Sequence, residues 1–366
     1  MFISSNTTGM LAGITAFTDK DGRDHALVVV KGTFLVARDG SVALAEEQAE
    51  FAYADEHYGE PGETSIKYEC DFAPAKPAAE VMLCGSAFSP GGKAVTELDV
   101  SIEVGSWKKQ LRVTGDRKWE AGLLGSFATA PEPFVQMPLV YERAFGGWDR
   151  NHASETRHTV ERRNLVGVGF QTEYHPAQIV GKPLPNIEYP GQRITKWNDK
   201  ISPAGFGVLS RNWLPRVGYA GTYDKAWLDE KCPFLPDDFD SHYFLSTPAD
   251  QHLSRLAGGD KVRCTNLSPD GEFSFELPPI EVPIVFRFRD RDVEASPKPD
   301  TLLLEPHLRR FMLTWRSLVP VGRTFVALRD VLVGNQPPLP RPRRSAAPRR
   351  FASLDEVARW RNSNSK

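Results

Sequence analysis

From Ala128 to Asp240, more than a hundred consecutive residues show no periodic hydrophobic face. Helices announce themselves by apolar residues every third or fourth position and strands by every second. A compact domain does not tolerate a free loop of that length, so this segment has to lie across a scaffold built by the chain on either side. Both flanks read as β-structure. Ala26–Val30 is apolar on both faces, which predicts a buried strand. Thr33–Ala37 leads through Asp39-Gly40 into Val42–Leu44, a hairpin signal because a two-residue turn needs positions tolerant of positive φ. Val81–Cys84 is a further strand. Leu98, Val100, Ile102 and Val104 alternate with Asp99, Ser101 and Glu103, and Gly105-Ser106 returns the chain along Leu111 and Val113. In the last third, Phe273, Phe275 and Leu277 alternate, as do Ile284, Phe286 and Phe288. Thr301–Leu304 and Phe311–Trp315 come next, with Thr324–Leu328 expected as the final strand. Glycine and proline, 29 each in 366 residues, are too frequent for a helical bundle and suit short strands joined by turns. The expected fold is mainly β: antiparallel, sandwich-like sheets with a long loop-rich central region and few short helices. One domain is expected over residues 1–335 (strand-rich 1–127, loop-rich 128–250, strand-rich 251–335), with a tail over 336–366.

Within the irregular region, Gly205 to Asp250 interleaves aromatic residues with Pro, Gly and Asp. That composition describes an ordered loop fixed by side chains. Its aromatic residues read first as pins holding the loop to the sheet, and second as the lining of a groove for another molecule. Trp148, Trp213, Arg216, Tyr223, Asp224 and Trp227 are the candidate protein contacts, because Trp, Tyr and Arg dominate interface hot spots. The acids Asp224, Asp237, Asp238 and Asp240 read as turn caps before they read as a catalytic pair. Two alternatives stay open. A hydrolase using Asp237, Asp238 and Asp240 requires two carboxylates facing one pocket, roughly 5 to 10 Å apart. A carbohydrate-binding module requires coplanar exposed rings.

Other chemistries lack their signatures. The chain has no G-x-S-x-G elbow, no G-x-x-x-x-G-K-[ST] loop and no complete G-x-G-x-x-G. His152, His158 and His175 have no metal-like spacing, and Cys70, Cys84, Cys232 and Cys264 form no C-x-x-C pair. No metal or cofactor is expected. The first residues have neither the charge nor the apolar run of a signal peptide, and no segment approaches a membrane span. A cytoplasmic protein with reduced thiols is expected. The net charge of −2 implies no bulk attraction to nucleic acid or membrane. It is unevenly spread, since from Arg341 onward eight basic residues face only Asp355 and Glu356. Arg341, Arg343, Arg344, Arg349 and Arg350 are candidate contacts for an acidic protein, because no aromatic residue interleaves them to suit nucleic acid. The tail is expected to be extended, with a short helix capped by Ser353 and Glu356.

Several segments together resemble the bacterial domain-of-unknown-function family 2169. They are Lys109–Trp119, Ala144-Phe-Gly-Gly147, Leu184–Glu188, Gly205-Phe-Gly207, Trp213–Arg216 and Ala220–Asp224, then Trp227, Leu235–Asp240, Pro248–Gln251, Asp300-Thr301 and Trp315-Arg316. The likeness runs in order from about residue 10 to 325. It departs at Leu165, where the family pattern has Pro, and in ending on a basic tail where many relatives carry pentapeptide repeats. The resemblance implies an accessory adaptor of type VI secretion systems, without established catalytic residues. Such a protein would bind a toxin effector in the cytoplasm and assist its loading onto the spike formed by VgrG and PAAR proteins.

Overall fold

The two apolar runs read separately at 26–30 and 33–37 form one strand of 13 residues, Asp24–Val36. Lys31 does not interrupt it. Its ammonium is buried against Asp71 (2.8 Å) and the Glu50 carbonyl (2.9 Å), so the charge is compensated inside the protein. In this computed structural model, residues 1–123, 125–173, 176–322 and 327–335 are described. His175, the tail arginines Arg341, Arg343, Arg344, Arg349 and Arg350, and the helix expected near Ser353 lie outside them. The chain divides into a unit Met1–Gly334 and a unit Asn335–Lys366.

Three sheets organise the first unit. The long sheet runs in the order His252–Leu253, Ala79–Leu83, Pro299–Glu305, Arg310–Gly322, Asp24–Val36 and Leu11–Thr18, with Val42–Leu44 also paired to Asp24–Val36. A five-stranded sheet holds Ile187–Glu188, Trp107–Thr114, Glu97–Val104, Lys261–Thr265 and Glu272–Glu276. A four-stranded sheet holds Ile3–Asn6, Leu328–Val333, Ile284–Phe288 and Asp292–Ala295. Pairing within them is mostly antiparallel, with two parallel exceptions, Ala79–Leu83 on Pro299–Glu305 and Ile3–Asn6 on Leu328–Val333. The protein is therefore mainly β. The final strand is Leu328–Val333 rather than Thr324–Leu328; residues 324–326 of the expected span lie outside the described ones.

The main core lies between the long and five-stranded sheets. Phe311 of the long sheet stacks on Phe34 (5.1 Å) and, across the core, on Phe275 (4.3 Å). A smaller core covers the other face of the long sheet, where Met82, Leu303 and Met312 meet Ile66 and Val208. Covering on both faces is why Leu27 and Val29 are as buried as Val28 and Val30. Gly105-Ser106 makes the expected two-residue turn, with Gly105 at φ +56°. Asp39-Gly40 belongs instead to a three-residue connection, in which Gly40 N–H bonds Ala37 O and only Gly40 takes positive φ.

The irregular region is laid over this scaffold. Leu83 N–H bonds Phe206 O, and Leu209 N–H bonds Ser246 O. Within this region, Phe145, Ile179, Leu184 and Ile194 form a satellite core with Trp119. Gly147 sits at φ +89°, so close to the Gly167 carbonyl that any side chain would overlap it. The buried Asn164 amide ties the same junction to Tyr141 O (2.8 Å) and Phe145 O (3.1 Å). Among the described residues, no helix is long and apolar enough to cross a membrane.

Candidate functional site

The stretch from 205 to 251 has a buried base and an exposed tip. At the base, the Arg216 guanidinium donates to Leu209 O (2.6 Å), Tyr243 O (3.1 Å) and Glu69 Oε1 (2.5 Å). Trp213, 2% exposed, meets Tyr141 edge-on at 5.5 Å. Glu80, wholly buried, accepts from Ser246 N (2.9 Å) and Oγ (3.1 Å) and from Thr247 N (3.0 Å) and Oγ1 (2.9 Å), and it pairs with Lys76. Between Glu69, Lys76 and Lys31 lies a small cavity of about 30 Å³, which Met82, Leu303 and Met312 also line. Trp213 and Arg216, expected as protein contacts, are thus interior. Arg216 gives its donors to carbonyls and a carboxylate from within the chain, which leaves it nothing to offer a partner.

Further along, the Lys109 ammonium holds Asp250 Oδ1 (2.8 Å) and Gln251 Oε1 (2.7 Å). Gln251 Nε2 donates onward to Val81 O (2.6 Å) and Phe206 O (3.0 Å), while Tyr189 OH and Trp107 Nε1 reach Asp250 at 2.9 and 2.8 Å. Burial pushes Lys109 down to about 8, against the raising pull of Asp250. Between pH 8 and the ordinary value of 10.5 the unfolded chain therefore binds the proton more readily, so stability rises across that window. Denaturant midpoints at pH 8 and pH 10 should show this rise in the wild type. The rise should shrink by about a kcal/mol or more in Lys109→Met, and equal slopes in the two proteins would refute it.

The tip is built on a short helix, Lys225–Glu230, whose N-cap Asp224 accepts from Trp227 N at 2.9 Å. Tyr223 packs edge-on against the half-buried Trp227 at 4.7 Å, and Trp227 Nε1 donates to Phe234 O at 2.9 Å. Tyr223 remains 54% exposed and Leu228 60%; Phe234 is also exposed, above Gly22. The loop whose base is welded to the sheet therefore carries three exposed large apolar side chains, Tyr223, Leu228 and Phe234, and the half-buried Trp227 at its tip. Trp148 lies apart, on the short strand Trp148–Asp149, exposed and stacked under the Arg150 guanidinium at 5.0 Å. Leu228 is a tip residue that sequence reasoning does not single out. The available signal is a capped six-residue helix whose apolar residues have no periodic partner.

Of the acids expected as turn caps, Asp224 and Asp240 are caps, while Asp237 and Asp238 are not. Asp238 accepts from Thr222 N (2.9 Å) and Oγ1 (2.7 Å), and Asp240 from His242 N (2.9 Å). The Thr222 and His242 backbone donors, respectively, hold both below the usual carboxylate range. Asp237 pairs with Lys231 at 2.5 Å. Each of the three carboxylates therefore has a structural partner of its own, in its own turn for Asp240, across the loop for Asp238 and on Lys231 for Asp237. The Tyr223 and Trp227 rings stand 68° apart, so they do not make the coplanar platform a sugar-binding module needs. Cys232 is exposed, while Cys84 and Cys264 are buried. Among the described residues no group of three or more His, Cys, Asp or Glu is placed to hold a metal.

Residues 21–316 match the model of a family described as "Uncharacterized protein conserved in bacteria (DUF2169)". No curated protein and no solved structure gives a match.

Proposed function

The chain belongs to the DUF2169 family, and from that premise we propose that it is an accessory adaptor of a type VI secretion system. It binds a toxin effector in the cytoplasm and assists its loading onto the VgrG and PAAR spike proteins. The observation that carries this reading is the tip, with Tyr223, Trp227, Leu228 and Phe234 presented together on a braced loop. Anchors of this kind bind best when the backbone beneath them is already ordered, because little entropy is lost on docking. Asp224 contributes by capping the helix that carries Trp227. The tail arginines are a separate candidate contact for an acidic partner.

The test is a pull-down from the native cell with secretion active, read by mass spectrometry. The wild type should recover a toxin together with spike proteins. Tyr223→Ala and Trp227→Ala should each reduce toxin recovery by about tenfold or more at unchanged melting temperature, whereas Trp148→Ala probes a separate surface. Truncation after Asn335 assigns the tail a partner if one is lost. Recovery of neither toxin nor spike proteins, or equal recovery by the tip variants, would overturn the reading.

A further inference from the structure

The strand Leu11–Thr18 ends the long sheet, and nothing among the described residues pairs with its outer side. Its register on Asp24–Val36 fixes which backbone groups face outward. Asp19 N–H bonds Arg23 O, while Val36 N–H bonds Arg309 O on the opposite side of Asp24–Val36. Odd-numbered residues of Leu11–Thr18 therefore bond inward, and the N–H and C=O groups of Ala12, Ile14 and Ala16 point out of the sheet.

Natural edges are guarded by charge, proline, bulges or shortness. The other edges here obey that rule. Glu272–Glu276 carries Glu272 and Glu276, and Gly40 lies against its Ser274 carbonyl; Asp292–Ala295 carries Asp292 and Glu294; His252–Leu253 has two residues. Leu11–Thr18 has eight residues with no charge, no proline and no bulge.

We propose that this edge pairs with the same edge of a second copy of the chain, antiparallel about Ile14. The free groups demand a register that matches even residues with even residues. Centred on Ile14, it sets Ile14 against its own copy, Ala12 against Ala16, Gly13 against Thr15 and Leu11 against Phe17. No like charges meet, and small residues face small ones while the large apolar residues face each other. The same register joins two half-exposed aromatic clusters on one face of the sheet. At one end Gly13 makes room for Phe51 and Phe72, with Tyr53, 77% exposed, stacked on Phe72 at 5.4 Å. At the other end Phe17 meets Phe244 at 6.4 Å. The two-fold brings each cluster beside the unlike cluster of the other copy, which is why the occupant is a second copy and not an unrelated strand. Self-pairing of Glu272–Glu276 or Asp292–Ala295 would set acid against acid.

The full chain should sediment at twice its own mass at micromolar concentration, with slow hydrogen exchange at the Ala12, Ile14 and Ala16 amides. Ala16→Pro removes an N–H that no intrachain ladder uses, and it should give the monomer mass at the concentrations where the wild type is dimeric. If that variant fails to fold, exchange in the wild type alone decides. A monomeric wild type, whether its edge amides exchange fast or are protected by some other strand, overturns the proposal. So does a dimer whose edge amides exchange fast.

Discussion

Glu80→Ala is expected to lower the melting temperature by on the order of 10 °C. Glu80 sits on Ala79–Leu83, a strand buried at all five positions, and its carboxylate is the acceptor for four donors from Ser246 and Thr247 as well as the partner of Lys76. Truncation leaves those donors and a buried ammonium uncompensated. Breaking such a pair from one side costs about 3–5 kcal/mol. The pH dependence gives a second readout. Burial by itself would raise the Glu80 pKa, but Lys76 and the hydroxyl and amide donors outweigh it and bring it from 4.5 to about 2. A depressed folded-state value means the contribution is complete above pH 4.5 and is lost as pH falls toward 2. Wild type should therefore lose stability steeply in that window, and Glu80→Gln should flatten the loss. A variant within about 1 kcal/mol of wild type, with an unchanged acid profile, would show that the carboxylate does not anchor the loop.

Trp213→Ala should cost about 3–5 kcal/mol in unfolding experiments, whereas Trp227→Ala, at the tip, should stay within about 1 kcal/mol of wild type. The two tryptophans stand 14 positions apart in one loop, and only their surroundings differ. Trp213 fills the space beside Tyr141 and can be replaced there only at the expense of a cavity, while Trp227 lies over its own short helix and packs chiefly on Tyr223. Trp213→Phe separates lost volume from lost shape and should recover much of the stability. If Trp213→Ala unfolded like the wild type, its assignment to the core would be wrong. Loss of effector binding by Trp213→Ala is then an effect of stability, and the Trp227→Ala result is the one that reports on contact.

Much of the scaffold is legible in the chain because strand signals are local. The alternation from Leu98 to Val104 gives one face, and Gly105-Ser106 gives the turn that sets its partner in register. One error arises where a local rule meets a distant residue, another within a single turn. Lys31 reads as a break between two strands because the Asp71 carboxylate that receives it is 40 positions away. Asp39-Gly40 reads as a two-residue turn, but Asp39 spends its side chain on Ser41 N and Oγ, and Gly40 alone adopts positive φ. Glu80, a single acid at the head of an apolar run, has no neighbour in sequence that marks it as the loop's anchor.

Local sequence suffices for the β-class, the hairpin at Gly105-Ser106, the capping role of Asp224 and Asp240, and the need for a scaffold beneath residues 128–240. The turns and caps rest on residues within a few positions of one another, where backbone geometry limits the possible contacts. Long-range packing alone settles which polar and aromatic side chains of the loop are inside. Arg216 is buried because Glu69 meets it from 147 positions away, and Ser246 is held because Glu80 meets it from 166. A charge can leave water only where a partner replaces its hydration, and spacing along the chain carries no information about partners so remote. Trp213 and Trp227 therefore look alike in sequence, and only the fold makes one a core residue and the other part of a surface.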